Sequence, residues 1–386
     1  MQFSKRLDLF GDEVFAALNV RRELEAALRR VFDLSVGTPD SRAAYHVVEA
    51  LRASAADPAN WKYSLHDKDE LLDAVRGYYE SRFGVVGVTR DMVMSCRGTQ
   101  EGLGHVVARL PTPATWAWCP TRATRSSRTR RCSPERAPST TRSRPSTTSC
   151  RTWPTCRTDV ADAAKYLILS LPANPVGSVG HAGGLRGGHR LRPRPRPRRH
   201  SRQRVLRHRL RRRAGRVVPG VSRRRSRWAW SFSRSPSPST SRARASPSWW
   251  AGADVVAAAR KLRGQVDFGM FYPEQDAAIA ALTGPRDSVE RQRLLYQERR
   301  DALCDGLEAI GWERPNAHGS MFVWARLPHG RTDSVSFSLE LMERAGVIVT
   351  PGASFGPSGE GYVRMALVMP PERLREAVAA ISASGL

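Results

Sequence analysis

Residues 91–110 read DMVMSCRGTQEGLGHVVARL, and the order of events within them decides the fold. Asp91 to Cys96 is a short apolar run of buried-strand type, which breaks at Arg97-Gly98-Thr99 into residues with apolar positions at helical spacing. A strand that turns through glycine into a helix is the building unit of an α/β chain. KYLILSLPANPVG, residues 165–177, supplies a second buried strand and ends it on an Asn-Pro turn.

Working outward, the same alternation continues on both sides. Upstream, helical periodicity covers 13–32, FDLSVGTPD (32–40) reads as a short strand breaking into a turn, and helices are expected over 42–57 and 68–84. The second of these carries acids in its first turn and Gly84 at its end. Downstream, helical patterns fall at 253–264, 272–284, 287–311, 334–346 and 370–381, alternating with strands in MFVWARLP (321–328), VIVTPG (347–352) and GYVRMALV (361–368).

Composition divides the chain in a way its averages hide. The formal charge is +27, yet residues 114–158 and 180–250 hold 32 of the 63 Lys+Arg and one of the 36 acids, Glu135. The remainder carries 31 bases against 35 acids, net −4, so a mildly acidic globular protein is interrupted by two very basic stretches. No apolar run reaches the ~18 residues of a bilayer span, and the amino terminus lacks a signal-peptide core, so no membrane partner and a cytoplasmic location are expected. Cys96, Cys119, Cys132, Cys150, Cys156 and Cys304 form no CxxC pair and have no His at zinc spacing, so no metal site is expected and the thiols read as inert.

Four turns at strand ends, VGTPD at Gly37, RGTQEG at Gly98, PANPVG at Asn174 and GYVR at Arg364, stand in order with GSMFVWARLP (319–328) and VTPGASFG (349–356). As a set they resemble the class I/II aminotransferases, pyridoxal-phosphate enzymes of fold type I. The resemblance covers about two thirds of the chain, residues 1–113, 159–179 and 251–386. It implies an α/β fold, with a large domain around a mostly parallel sheet and a small α/β domain. The corresponding division is an arm and part of the small domain over 1–40, a cofactor-binding domain over 41–275 and a small domain over 276–386. It also implies amino-group transfer between an amino acid and a 2-oxo acid, pyridoxal 5'-phosphate as cofactor, and a homodimer.

The resemblance assigns roles residue by residue. Gly98, Thr99 and Gln100 would form part of the phosphate cup, where backbone N–H groups at a helix start converge on an anion. Asn174 would hydrogen-bond the cofactor ring hydroxyl, although Val176 stands where the family usually has Thr. Arg364, mid-strand among apolar residues, would bind the substrate α-carboxylate beside Gly37, because a guanidinium there is costly unless an anion meets its fork. Tyr63 would reach the phosphate of the neighbouring subunit. A structural ion pair for Arg364 and core packing for Tyr63 are the plain alternatives.

Two groups that the family requires are missing. An imine-forming lysine and a ring-nitrogen aspartate belong between Asn174 and Asp254, but residues 180–250 contain no Lys, Asp or Glu. Their excess of Arg, Pro, Ser, Ala and Trp is what GC-rich codons give when translated out of register. Back-translating Ser233 to Pro238 and reading from each third base yields Ser-Leu-Ser-Lys-Pro, the family's lysine motif, with the lysine codon straddling Pro236 and Ser237. His200 to Leu206, shifted by one base, yields Ile-His-Asp-Asn-Ala-Tyr, with the aspartate straddling Arg202 and Gln203. Pro113 to Pro120 yields Gly-Asp-Val-Gly-Val-Val-Pro. The expectation is an aminotransferase with two frameshifted stretches, irregular over 114–158 and 180–250 and inactive as written because no lysine is placed to react. The competing readings are an arginine-rich nucleic-acid-binding protein, whereas the aminotransferase reading expects no nucleic-acid partner, and a non-catalytic protein of aminotransferase architecture.

Overall fold

The computed structural model of the 386-residue chain describes residues 30–98, 101–102, 172–177, 252–266 and 268–386, together with strands at 116–120, 139–141, 164–167, 204–206, 229–233 and 248–250. The helical pattern expected over 13–32 lies outside the described residues up to position 29.

The strands are β1 (Phe32–Asp33), β2 (Val93–Ser95), β3 (Trp116–Pro120), β4 (Ser139–Thr141), β5 (Ala164–Leu167), β6 (Arg204–Leu206), β7 (Ala229–Ser233), β8 (Ser248–Trp250), β9 (Phe322–Arg326), β10 (Val347–Ile348), β11 (Thr350–Pro351) and β12 (Tyr362–Ala366). The helices are α1 (Tyr45–Ala56), α2 (Asp69–Phe83), α3 (Ala253–Arg263), α4 (Tyr272–Thr283), α5 (Asp287–Ala309), α6 (Ser334–Ala345) and α7 (Pro371–Ala383). Their places follow the sequence pattern closely. In α2 the acids Asp69 and Glu70 sit in the first turn, where the helix dipole favours them. The helix stops because Gly84 takes a left-handed φ of 64° and its N–H closes on the Glu80 carbonyl.

A seven-stranded sheet runs in the order β2-β8-β7-β6-β5-β3-β4. Every pairing from β4 through β3, β5 and β6 to β7 is parallel, while β8 is antiparallel to both β7 and β2. This is the mostly parallel sheet expected. One expectation is corrected: the basic stretches are not irregular throughout, since β3, β4, β6, β7 and β8 lie inside them.

Leu71, Val75, Tyr78 and Tyr79 of α2 recur at helical spacing and bury against Val93 of β2 and Ala278 and Leu282 of α4. A second core joins Phe32 and Leu34 to Leu303, Val323, Phe337, Val363, Leu374 and Ile381, around the antiparallel sheet β11-β12-β9 and the parallel pair β1-β10. The amino-terminal strand thus completes a small α/β unit made mostly from the last hundred residues of the chain. Among the described residues no helix is long and apolar enough to cross a membrane. Cys96 and Cys304 are buried in no disulfide, and burial raises both thiol pKa values, that of Cys304 to about 11.

Two buried arginines fix the turns that lead to the sheet edge. Arg263 of α3 donates through Nη1 to the Ser95 carbonyl at 2.7 Å, and Asp67 accepts from the Ser95 N–H at 3.0 Å. Arg299 of α5, 3 % exposed, grips Asp40 with Nη1 at 2.8 Å and Nη2 at 2.7 Å and also donates to the Leu367 carbonyl at 3.1 Å. Burial pushes the Asp40 carboxyl up, but the hydrogen bond and charge of Arg299 outweigh it, leaving the pKa below the usual carboxylate value.

Asp40→Asn leaves the buried Arg299 uncompensated and is expected to cost about 3 kcal/mol in urea unfolding. Because the folded-state pKa is depressed, the stability from this pair is complete above the unfolded carboxyl pKa of about 4 and is lost as pH falls through the lower folded value. The variant should therefore show a shallower loss of stability on acidification than the parent chain.

Candidate functional site

Arg364 is the third residue of β12, the middle strand of its sheet, and register places it between Thr350 of β11 and Trp324 of β9. Its Nη2 donates to the Ser35 carbonyl at 2.6 Å and to the Thr350 hydroxyl at 3.0 Å, and its Nη1 reaches Oδ1 of Asn174 at 3.4 Å. All three acceptors are neutral. Nε is buried with no partner. The guanidinium carbon lies 4.3 Å from the centroid of the Phe322 ring and 4.9 Å from that of Phe355, a cation–π floor.

This setting withdraws water from the cation and returns no counter-ion. Burial accordingly pulls the Arg364 pKa down to about 10, which leaves it charged at neutral pH. Among the described residues no carboxylate pairs with it, so the structural ion pair weighed from the sequence does not account for it. An anion reaching the guanidinium would supply the missing charge.

Gly37 is needed beside this arginine for steric reasons. A Cβ there would stand 2.3 Å from Cζ of Phe322, the ring under Arg364. The Asn174 turn is seated by Gly177, whose φ is 67° and whose N–H donates to the Ala173 carbonyl at 2.7 Å. A Cβ at Gly177 would approach the Gly319 carbonyl to 3.0 Å, so two glycines let the turn close against the segment leading into β9.

Gly98 follows β2 with φ of 96°, and its carbonyl accepts from the N–H of Glu101 at 3.1 Å and of Gly102 at 3.4 Å, opening a helical turn. Since β8 is antiparallel to both its neighbours, β2 runs in the same direction as β5 and β7. The Gly98 and Asn174 turns therefore leave the sheet at one edge, the carboxyl edge, where open α/β sheets take ligands. Thr99 and Gln100 lie outside the described residues, as do Pro236 and Ser237.

Tyr63 is 81 % exposed, which excludes core packing, and its ring stands 5.5 Å from that of Phe268 with no contact to Arg364 or Asn174. Sequence reasoning assigned no role to Ser35, Thr350, Phe322 or Phe355. All four lie in motifs it quoted, but which side chains meet depends on pairing across strands.

The described residues do not provide the amine that pyridoxal phosphate needs for covalent attachment. The chain has five lysines, of which Lys5 lies outside the described residues and Lys165 is placed only as backbone in β5. Lys68 is held by Asp276 at 2.7 Å, Lys62 lies 5.8 Å from the Tyr272 ring, and Lys261 stands in the last turn of α3. Among the described residues an uncompensated guanidinium is present, and an amine placed beside it is not.

A profile of the family "Aminotransferase class I and II" matches residues 239–381. The chain is 29% identical over 405 aligned positions to the LL-diaminopimelate aminotransferase of Moorella thermoacetica, covering 98% of this chain and 97% of that protein. The corresponding enzyme of Halothermothrix orenii is 41% identical over 126 positions, 33% of this chain and 32% of that protein. Among solved structures, the substrate-bound BacF structure from Bacillus subtilis superposes with a TM-score of 0.85 at 22% identity, over 99% of this chain and 98% of that one. A probable N-succinyldiaminopimelate aminotransferase from Thermus thermophilus gives 0.81 at 24%, over 96% and 99%. With the mostly parallel sheet, the small unit closed by the amino-terminal strand and the acid-free Arg364 at their junction, these likenesses show that the chain has the fold of the class I and II aminotransferases and a sequence similar to theirs.

Proposed function

We propose that this protein moves an amino group between an amino acid and a 2-oxo acid, with the carboxylate of either substrate seated on Arg364. The observation that carries this reading is the guanidinium whose hydrogen-bond acceptors among the described residues are all neutral. Ser35 and Thr350 hold Nη2 in place, so the guanidinium is oriented before the ligand arrives and little rotamer entropy is lost on binding. Phe322 and Phe355 exclude water and strengthen each charged hydrogen bond. The names of the relatives support a donor of the LL-diaminopimelate type, a diamino acid with a carboxylate at each end. Because none of the described lysine side chains is placed to react, amino-group transfer is proposed for the in-frame protein and carboxylate binding alone for the chain as written.

The chain is further proposed to act as a homodimer in the cytoplasm. Trp61, Tyr63, Leu65 and Phe268 are exposed apolar side chains, and Tyr63 and Phe268 stand ring to ring, which is more aromatic surface in one place than isolated exposed residues explain.

Calorimetric titration of the full chain with glutamate and 2-oxoglutarate tests the carboxylate site. Arg364→Gln should weaken both at least tenfold, the equivalent of losing one charged hydrogen bond of about 1.5–3 kcal/mol. Unchanged affinity would remove Arg364 from the site. Gly37→Ala should weaken the same ligands by pushing on Phe322, and the overpacking should cost about 1–3 kcal/mol in unfolding. In sedimentation, Tyr63→Ser combined with Leu65→Ser should shift the dimer to monomer.

A further inference from the structure

The seven-stranded sheet conflicts with the residues written into it. Four of its five interior strands, β3, β6, β7 and β8, come from the basic stretches. Interior strands of a parallel sheet are covered on both faces and read as near-continuous apolar, β-branched runs. Here β6 is Arg-Val-Leu, β7 is Ala-Trp-Ser-Phe-Ser and β8 is Ser-Trp-Trp. Their neighbour β2, from ordinary sequence, is Val-Met-Ser and buried at every position.

The genetic code resolves the conflict at tryptophan, whose single codon is TGG. Read in the frame that starts one base earlier, it becomes NTG, which encodes Leu, Met or Val whatever the first base. Seven of the ten tryptophans fall in the basic stretches, and five of those lie in β3, β7 and β8 as Trp116, Trp118, Trp230, Trp249 and Trp250. In that frame each reads as Leu, Met or Val whatever the neighbouring codon, at a strand position where an apolar residue fits.

The same frame carries through the surrounding residues. Pro113 to Arg125 can be read from each third base as Gly-Asp-Val-Gly-Val-Val-Pro-Asp-Pro-Gly-Tyr-Pro, an apolar strand across β3 followed by turn residues. Trp228 to Pro238 gives Gly-Val-Glu-Leu-Phe-Ser-Leu-Ser-Lys-Pro, a strand across β7 with a lysine just beyond its carboxyl end. Ala245 to Ala251 gives Phe-Ala-Val-Val-Val-Gly, with three valines across β8. The carboxyl end of β7 lies at the edge that bears Gly98 and Asn174.

We infer that residues 114–158 and 180–250 are out-of-frame readings of a continuous aminotransferase gene, and that the natural polypeptide has apolar strands there and a lysine encoded across the Pro236 and Ser237 codons. The family profile matches residues 239–381, nearly all of them beyond the second basic stretch, and identity is 41% over 126 positions with one relative and 29% over 405 with another, which agrees with well-matched sequence interrupted by displaced frames. The lysine rests on the proposed aminotransferase reading; the apolar strands do not.

Peptide mapping and isoelectric focusing of the protein purified from the cells that carry the gene decide it. The expected result is a peptide containing Phe-Ser-Leu-Ser-Lys, and focusing well below the pI of 11.2 of the chain as written. Recovery of Leu-Arg-Pro-Arg-Pro-Arg from residues 191–196 would overturn the inference and leave the carboxylate titrations to judge Arg364 separately. Apolar β3 and β8 peptides without the lysine would uphold the displaced frame and refute only the amine.

Discussion

Everything at the candidate site depends on one unbalanced charge. Arg364 sits where two packed units meet, in contact with the amino-terminal segment through Ser35, the small sheet through Thr350 and the large sheet edge through Asn174. A cation held among neutral groups and aromatic rings is a local cost, and the proposed carboxylate would offset it. The glycines at positions 37 and 177 serve the same constraint, because side chains there would fill the space in which three segments converge on the guanidinium.

Much of this was legible before the fold was seen, for identifiable reasons. Helices such as 69–83 announce themselves through acids at the start, a Leu-Leu-Val-Tyr stripe and a glycine stop, all of which are local signals. An arginine inside GYVRMALV is conspicuous because apolar residues flank it on both sides, and no carboxylate among the described residues pairs with it.

Other features were hidden because they are made across long sequence separations. Nothing near Asp40 names Arg299 as its partner, 259 residues away, although an arginine one turn before Leu303 on the buried stripe of α5 was the available clue. Phe322 and Phe355 looked like ordinary strand and loop aromatics, and only strand register brings both to the face of Arg364. The expectation of irregular structure failed at five strands because sheet position is imposed by flanking helices and neighbouring strands as well as by local propensity.

The three-way attachment of Arg364 also has a thermodynamic meaning. A bound carboxylate would share its cation with main chain from the amino terminus, a hydroxyl of the small sheet and an amide from the large one, so ligand affinity and the relative placement of the two cores become reciprocal quantities. Whatever ligand binding contributes to holding the cores together, rigid cores return as tighter binding, and loosening of either packing cluster should register as weakened affinity at a distance.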